Sequence, residues 1–128
     1  MRALLDTHAF LWWNMDHHAL SPKARAVIAD ASNEIFFSAA SAWEIAIKAS
    51  RGRLSLPDPP DAYISDRLTR HGFVVMPVLV SHATHVFELP DHHRDPFDRL
   101  LVAQAKVENL SVLSGDRALA SYGIDLVW

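Results

Sequence analysis

Asp6 follows the apolar run Ala3-Leu4-Leu5, and Asp116 follows Ser111-Val112-Leu113-Ser114 and one glycine. Glu44 lies two turns into the segment after Glu34-Ile35-Phe36-Phe37-Ser38, while Asp95 and Asp98 open the segment that feeds the run at 111. If these runs are parallel strands, the acids share one edge of the sheet, outside the strands' carboxyl ends, where open α/β sheets bind ligands. Four carboxylates converging there cannot all stay ionised without cations. The chain has no cysteine, so oxygen ligation points to Mg²⁺ or Mn²⁺ rather than zinc. Helix N-termini beside the acids favour anions, so a phosphate oxygen would complete the coordination. Two such ions would activate water and stabilise the leaving oxygen in phosphodiester hydrolysis.

Each acid also has a plainer reading. Asp6 would cap a helix starting at Thr7. Ser41-Ala42-Trp43-Glu44 has the form of a capping box, and Glu44 would pair with Lys48 four residues on. Asp95-Pro96-Phe97-Asp98 is good helix N-terminal chemistry by itself, and Asp116 after Gly115 would be another cap. Glu44 is hardest to explain this way. Its neighbours are Ala40, Trp43, Ile45, Ala46 and Ile47, and a buried lone carboxylate costs several kcal/mol unless paired or metal-bound.

The elements that would position these acids follow from pattern. Strands are expected at Ala3–Leu5, Glu34–Ser38, Phe73–Met76, Ser111–Ser114 and Ile124–Trp128. Helices are expected at Thr7–Met15, from Pro22 to about Ala31, Ala39–Ser50, about 61–71, Ser81–Leu89 and from Asp95 to about Glu108, with one or two turns over Asp116–Ser121. Ala39–Ser50 is apolar nearly all round, which predicts a buried helix. Short strands alternating with helices of about ten residues mean crossover connections and a parallel sheet covered on both faces. Strand order does not follow from this pattern.

The chain has 128 residues, which suits one domain over 1–128. Half of its residues are apolar and 21% are charged, which excludes a disordered chain. A net charge of −3 argues against a polycation that coats nucleic acid, yet an acidic metal site can mask local basic residues. Four tryptophans and a mean hydropathy of +0.05 suggest more apolar surface than one core needs, and hence a partner interface. Trp12 and Trp13 cannot both face the core of one helix, so one of them is expected to be exposed or at an interface, the alternative being half-exposed packing within the chain. The first residues meet Asp6 after three apolar positions and lack a signal-peptide core, and no apolar run approaches a membrane span, so a cytoplasmic protein without membrane contact is expected. Asp16-His17-His18 and Asp91-His92-His93 read as solvated loops.

Leu5-Asp6-Thr7-His8, Ser41-Ala42-Trp43-Glu44-Ile45, Asp95-Pro96-Phe97-Asp98-Arg99-Leu100-Leu101 and Ser114-Gly115-Asp116 occur in that order in a chain of this length. Together they resemble PIN-domain ribonucleases, specifically the VapC-like toxins of type II toxin–antitoxin systems. The resemblance implies an α/β/α sandwich with a five-stranded parallel sheet and a divalent-metal ribonuclease site. It makes Asp6, Glu44, Asp98 and Asp116 the acidic quartet that holds Mg²⁺ or Mn²⁺, with Asp95 either assisting or capping its helix. Ser114 stands where many relatives have threonine. RNA would be the substrate, with Arg99 and Arg117, each directly after a quartet acid, as candidate RNA contacts. A cognate antitoxin and a homodimer are the implied partners. The antitoxin is expected to offer apolar anchors to the first helix and an Arg or Lys to the acidic pocket. Two alternatives remain. An acid-site phosphatase with an aspartyl nucleophile would need a second Asp at position 8, where His8 stands. A PIN-like binding module without activity would not need intact acids.

Overall fold

Strand β1 (Arg2–Leu5) lies at the centre of a five-stranded sheet of order β3-β2-β1-β4-β5, all neighbours parallel, in a computed structural model that describes residues 1–128. The other strands are β2 (Glu34–Ser38), β3 (Val74–Met76), β4 (Ser111–Leu113) and β5 (Leu126–Val127). The helices are α1 (Thr7–Met15), α2 (Pro22–Ala29), α3 (Ala39–Ser50), α4 (Pro60–His71), α5 (Val80–His85) and α6 (Pro96–Glu108), with 3₁₀ segments at Val86–Glu88 and Arg117–Tyr122. The chain builds outward from β1 through β2 to β3, then returns to the other side of β1 for β4 and β5. The topological switch point therefore lies between the carboxyl ends of β1 and β4, at Asp6 and at Ser114-Gly115-Asp116.

The two-residue period of the strands builds both faces. Ala3, Leu5, Ile35, Phe37, Leu113 and Val127 pack with Phe10 and Leu11 of α1, Ala24 and Ile28 of α2, and Tyr63 and Ile64 of α4. Leu4, Phe36 and Val112 point the other way, onto Leu101 and Ala105 of α6. A third cluster joins α6 to the 3₁₀ segment after β4 through Val102, Ala103, Leu119 and Tyr122. This is the expected α/β/α sandwich. Leu4 and Leu5 are fully buried, each worth about 1.5–3 kcal/mol of apolar burial. No helix is long and apolar enough to cross a membrane.

Several boundaries differ from expectation, each for a local reason. Helix α2 stops at Ala29 because the Asp30 carboxylate accepts from Ser32 N–H and Oγ at 2.9 and 2.7 Å, a turn that competes with the helix. The helix expected over Ser81–Leu89 tightens after His85 to 3₁₀ geometry, where the Arg99 guanidinium donates to the Val86 and Leu89 carbonyls at 3.3 and 3.5 Å. The last strand shrinks to Leu126–Val127, because Gly123 caps the preceding 3₁₀ segment in a left-handed conformation (φ +75°).

Helix α3 is not buried all round. Ala40, Ser41, Glu44 and Ile45 form its buried face, while Trp43 is 61% exposed. The capping box at Ser41–Glu44 is absent. The cap is Ser38, the last residue of β2, whose Oγ accepts from Ala40 N–H at 3.0 Å. The Ser38 hydroxyl also donates to Gln104 Oε1 of α6 at 2.5 Å, so one serine fixes α3 against α6. Trp12 and Trp13 are both half-buried, the alternative of packing within the chain, and neither is fully exposed. Trp12 packs on His8, His17 and Trp128, and Trp13 meets His71 edge to face.

Candidate functional site

A cleft of about 380 Å³ opens at the switch point, lined by Asp6, Asp98, Asp116, His8, Trp12 and Trp128. A larger cleft of about 490 Å³, around Lys106, Asn109 and Ser111, lies at the amino end of β4, away from the strand ends that carry the acids. The local structure that places each acid is the capping chemistry read as its alternative role. Asp6 caps α1 by accepting from Ala9 N–H at 2.6 Å. Asp116 caps the 3₁₀ segment by accepting from Ala118 N–H at 3.1 Å, and its own N–H donates to Ser114 Oγ at 3.1 Å. Each carboxylate oxygen has two lone pairs, so a capping hydrogen bond leaves acceptor capacity for a cation and the two roles are compatible.

Asp95 and Asp98 divide the work at the start of α6. Asp95 Oδ1 accepts from Phe97 N–H and Asp98 N–H at 2.9 and 3.3 Å, the cap geometry. Asp98 sits one turn into the helix and faces the cleft. Glu44 lies behind the cleft, 3% exposed. Its Oε1 accepts from the Thr7 hydroxyl at 2.7 Å, and Thr7 Oγ1 is also 2.9 Å from Ser41 Oγ. Its Oε2 meets Lys48 Nζ at 2.5 Å, so the pairing at i+4 is present in the fold.

The acids perturb one another. Burial, then the neighbouring Asp95 carboxylate, pushes the Asp98 carboxyl up to about 7, with Asp6 and Glu44 adding and His93 opposing. Burial raises the Asp6 carboxyl as well, against the Ser114 hydroxyl, the Ala9 N–H and His8, which favour its ionised form. A pocket that makes its own carboxylates costly to ionise suits a cation.

Asp98, Asp116 and His93 bring one ligand atom each to within 4.8 Å of one another. Asp6 shares their cleft, and Glu44 is near enough to raise both Asp6 and Asp98. A set of carboxylate oxygens fits Mg²⁺ or Mn²⁺. His93 is the residue that sequence reasoning missed, because Asp91-His92-His93 reads as a solvated loop. The correction is that His93 Nε2 lies 2.9 Å from Asp116 Oδ2 and 3.5 Å from Asp98 Oδ2. The only signal was spacing, a histidine two residues before a capping Asp-Pro. Of the candidate RNA contacts, Arg117 is exposed and unpaired, whereas Arg99 donates to the Val86, Leu89 and Pro90 carbonyls and to Tyr122 Oη, which ties it to the loop.

Gly115, between Ser114 and Asp116, is required by close approach. A Cβ there would lie 2.9 Å from Cε2 of Trp128, whose indole forms one wall of the cleft.

Residues 3–124 match the PIN domain family. Ribonuclease VapC22 of Mycobacterium tuberculosis is 32% identical over 120 residues, covering 93% of this chain and 90% of that protein. Ribonuclease VapC16 of the same organism is 43% identical over 63 residues, which is 49% of this chain and 45% of that protein, so this alignment spans about half of each. The DNA-bound VapBC structure from Salmonella typhimurium superposes with a TM-score of 0.72 over 98% of this chain and 96% of that one, at 17% identity, a likeness of fold. With the family match running from β1 to the threshold of β5, and VapC22 aligned over nearly the whole length, this chain belongs to the PIN domain family.

Proposed function

We propose that this protein is a metal-dependent endoribonuclease and the toxin of a toxin–antitoxin pair. The observation that carries this reading is the meeting of Asp6, Asp98 and Asp116 in one cleft at the switch point of a PIN fold, with Glu44 buried directly behind. The naming of VapC22 as a ribonuclease supports the substrate class.

Asp6, Glu44, Asp98 and Asp116 would hold Mg²⁺ or Mn²⁺. When bound, such an ion polarises the scissile phosphate and lowers the pKa of the attacking water. The chain's own residues prepare the site. The caps at Asp6 and Asp116 hold their carboxylates in fixed directions, since each is anchored by a backbone N–H. Thr7 and Lys48 hold Glu44 through both carboxylate oxygens in a buried position. Arg117, beside Asp116 and free of other partners, would meet an RNA phosphate against the net charge of the chain. The fitting inhibitor is an antitoxin segment that brings a cation to the acids and an apolar anchor to Trp12, which lines the same cleft.

The test is cleavage of RNA by the purified protein freed of antitoxin. Cleavage should need Mg²⁺ or Mn²⁺, stop with EDTA, and fall by orders of magnitude in Asp98→Asn. Cleavage that continues unchanged in chelator would rule out the metal mechanism.

A further inference from the structure

We propose that His93 is a positioning residue of the acidic cleft, a hydrogen-bond strut that aims Asp116 and Asp98 at one cation without ligating it. The proposal rests on reading the cleft as a divalent-metal site. His93 lies in the loop before α6, 23 positions from Asp116 in sequence, and its side chain is 21% exposed. Its ring is held from both ends. The Asp95 backbone N–H donates to Nδ1 at 3.1 Å. Nε2 lies 2.9 Å from Asp116 Oδ2 and 3.5 Å from Asp98 Oδ2.

The first of these contacts decides the role of the second. A backbone N–H can only donate, so Nδ1 must present its lone pair. In the neutral ring the one remaining proton then sits on Nε2 and points at Asp116, with Asp98 Oδ2 3.5 Å away. In this tautomer Nε2 has no lone pair for a metal. To ligate, the ring would have to move its proton to Nδ1, where it would face the Asp95 N–H, donor against donor. Ligation is therefore opposed by the backbone of the turn at His93-Arg94-Asp95, and donation to Asp116 is favoured by it.

That arrangement has a use. Asp116 is the most exposed of the cleft acids, since it caps a 3₁₀ segment after β4 and its side chain is 42% exposed. Asp98 stands on a long helix. The N–H bonds the loop acid and comes within 3.5 Å of Asp98 Oδ2, so it holds Asp116 beside the helix acid. The Oδ2 atoms it touches leave Asp116 Oδ1 to the Ala118 N–H, so the carboxylate is fixed through both oxygens. Hydrogen bonds to a liganding carboxylate of this kind set its direction, and their loss costs roughly ten- to a hundredfold in metal affinity. Asp95 thus has two tasks: its side chain caps α6, and its N–H sets the tautomer of His93.

The experiment measures Mn²⁺ binding by calorimetry to the metal-free wild type, His93→Ala and His93→Gln, and reads the histidine tautomers of the ¹⁵N-labelled wild type by NMR before and after Mg²⁺. The amide of glutamine can donate as Nε2 does, whereas alanine cannot. The expected results are a loss of roughly ten- to a hundredfold in Mn²⁺ affinity for His93→Ala, recovery of most of it in His93→Gln, and an Nε2–H tautomer retained with Mg²⁺. Alanine binding as tightly as wild type would overturn the strut while leaving the metal site standing. A proton found on Nδ1, with the Nε2 resonance moved by Mg²⁺, would overturn it in favour of direct ligation. A wild type that binds neither ion would remove the metal reading and the strut with it. Should His93→Ala fail to fold, the tautomer of the wild type and the affinity of His93→Gln still decide.

Discussion

At Asp98 folding and function pull in opposite directions. Folding favours the neutral acid, because burial and the Asp95 carboxylate raise its pKa from 3.8 to about 7, while cation binding needs the carboxylate. In the unfolded chain the group ionises near its ordinary value, so between about pH 4 and pH 7 the native state holds a proton that the unfolded state has lost. Stability contributed by Asp98 must then fall as pH rises through that window and level off above it. Asp98→Asn removes the ionisation and keeps the shape. In EDTA, urea denaturation should show the variant more stable than wild type, by a margin that widens from pH 5 to pH 7 and is flat to pH 8. The difference between variant and wild type cancels His71, whose burial lowers its pKa and gives the opposite slope. Saturating Mg²⁺ should shrink or reverse the margin by stabilising only the wild type. A margin independent of pH would mean that Asp98 is ionised at no cost. Asp98 was legible in the sequence through the resemblance of Asp95-Pro96-Phe97-Asp98-Arg99 to a family motif, since an acid at the third position of a Pro-opened helix is by itself ordinary N-terminal chemistry. His93 was not, because its place depends on how the loop at 90–94 folds back over β4, and a polar tripeptide carries no sign of that.

At the scale of elements, the site depends on how α3, carrying Glu44, sits against α6, carrying Asp98. Ser38 is the joint. Its oxygen caps α3 and its hydroxyl proton goes to Gln104, whose Nε2 donates in turn to the Pro77 carbonyl at 3.3 Å. All of this is buried, with Ser38 and Gln104 both 0% exposed. Ser38→Ala therefore removes a cap, about 0.5–2 kcal/mol, and leaves a buried amide oxygen unpaired, about 1–3 kcal/mol. A loss of about 2–4 kcal/mol is expected in chemical denaturation, together with weaker Mn²⁺ binding as Glu44 and Asp98 shift apart. A loss under about 0.5 kcal/mol would show that the helices are placed by apolar packing alone. The elements themselves were legible from strand runs and helix signals, since apolar runs of four or five residues between ten-residue helices leave few other folds. The joint was not. Ser41 with Glu44 three residues on imitates a helix start, and the true cap lies in the strand, where β2 passes into α3 with no loop between them. Strand order was equally out of reach, because alternation fixes that strands are parallel but not which are neighbours.

For the whole molecule, the apolar excess visible in the composition has a definite location. Its longest stretch is not at Trp12 and Trp13, which the fold half-buries, but runs from the edge strand β3 to Val80, with Phe87 and Trp43 exposed besides. Val74 and Val75 of the edge strand β3 are 38% and 53% exposed, Leu79 48%, Val80 80%, and Phe87 95%. An edge strand beside exposed apolar side chains is a surface that soluble proteins cover, and a second copy with two-fold symmetry is the commonest cover. A stable interface buries about 800 Å² on each partner, and this face supplies large apolar side chains for its centre. The site's own residues lie at the strand ends near the middle of the sheet, so a partner on this edge leaves the cleft open to RNA. Sedimentation at micromolar concentration should therefore give twice the 14.3 kDa chain mass. Replacing Val80 and Phe87 by glutamate places charges where apolar anchors would sit, and should raise the dimer dissociation constant by more than about thirtyfold, the effect of losing one strong anchor. Both side chains are exposed in the single chain, so the variant should keep the wild-type unfolding midpoint when each is compared as a monomer. A wild type that sediments at 14.3 kDa would remove the dimer. A Val80→Glu/Phe87→Glu variant that stays dimeric would move the interface to another face, with the exposed Trp43 and its neighbour Phe97 the next place to look.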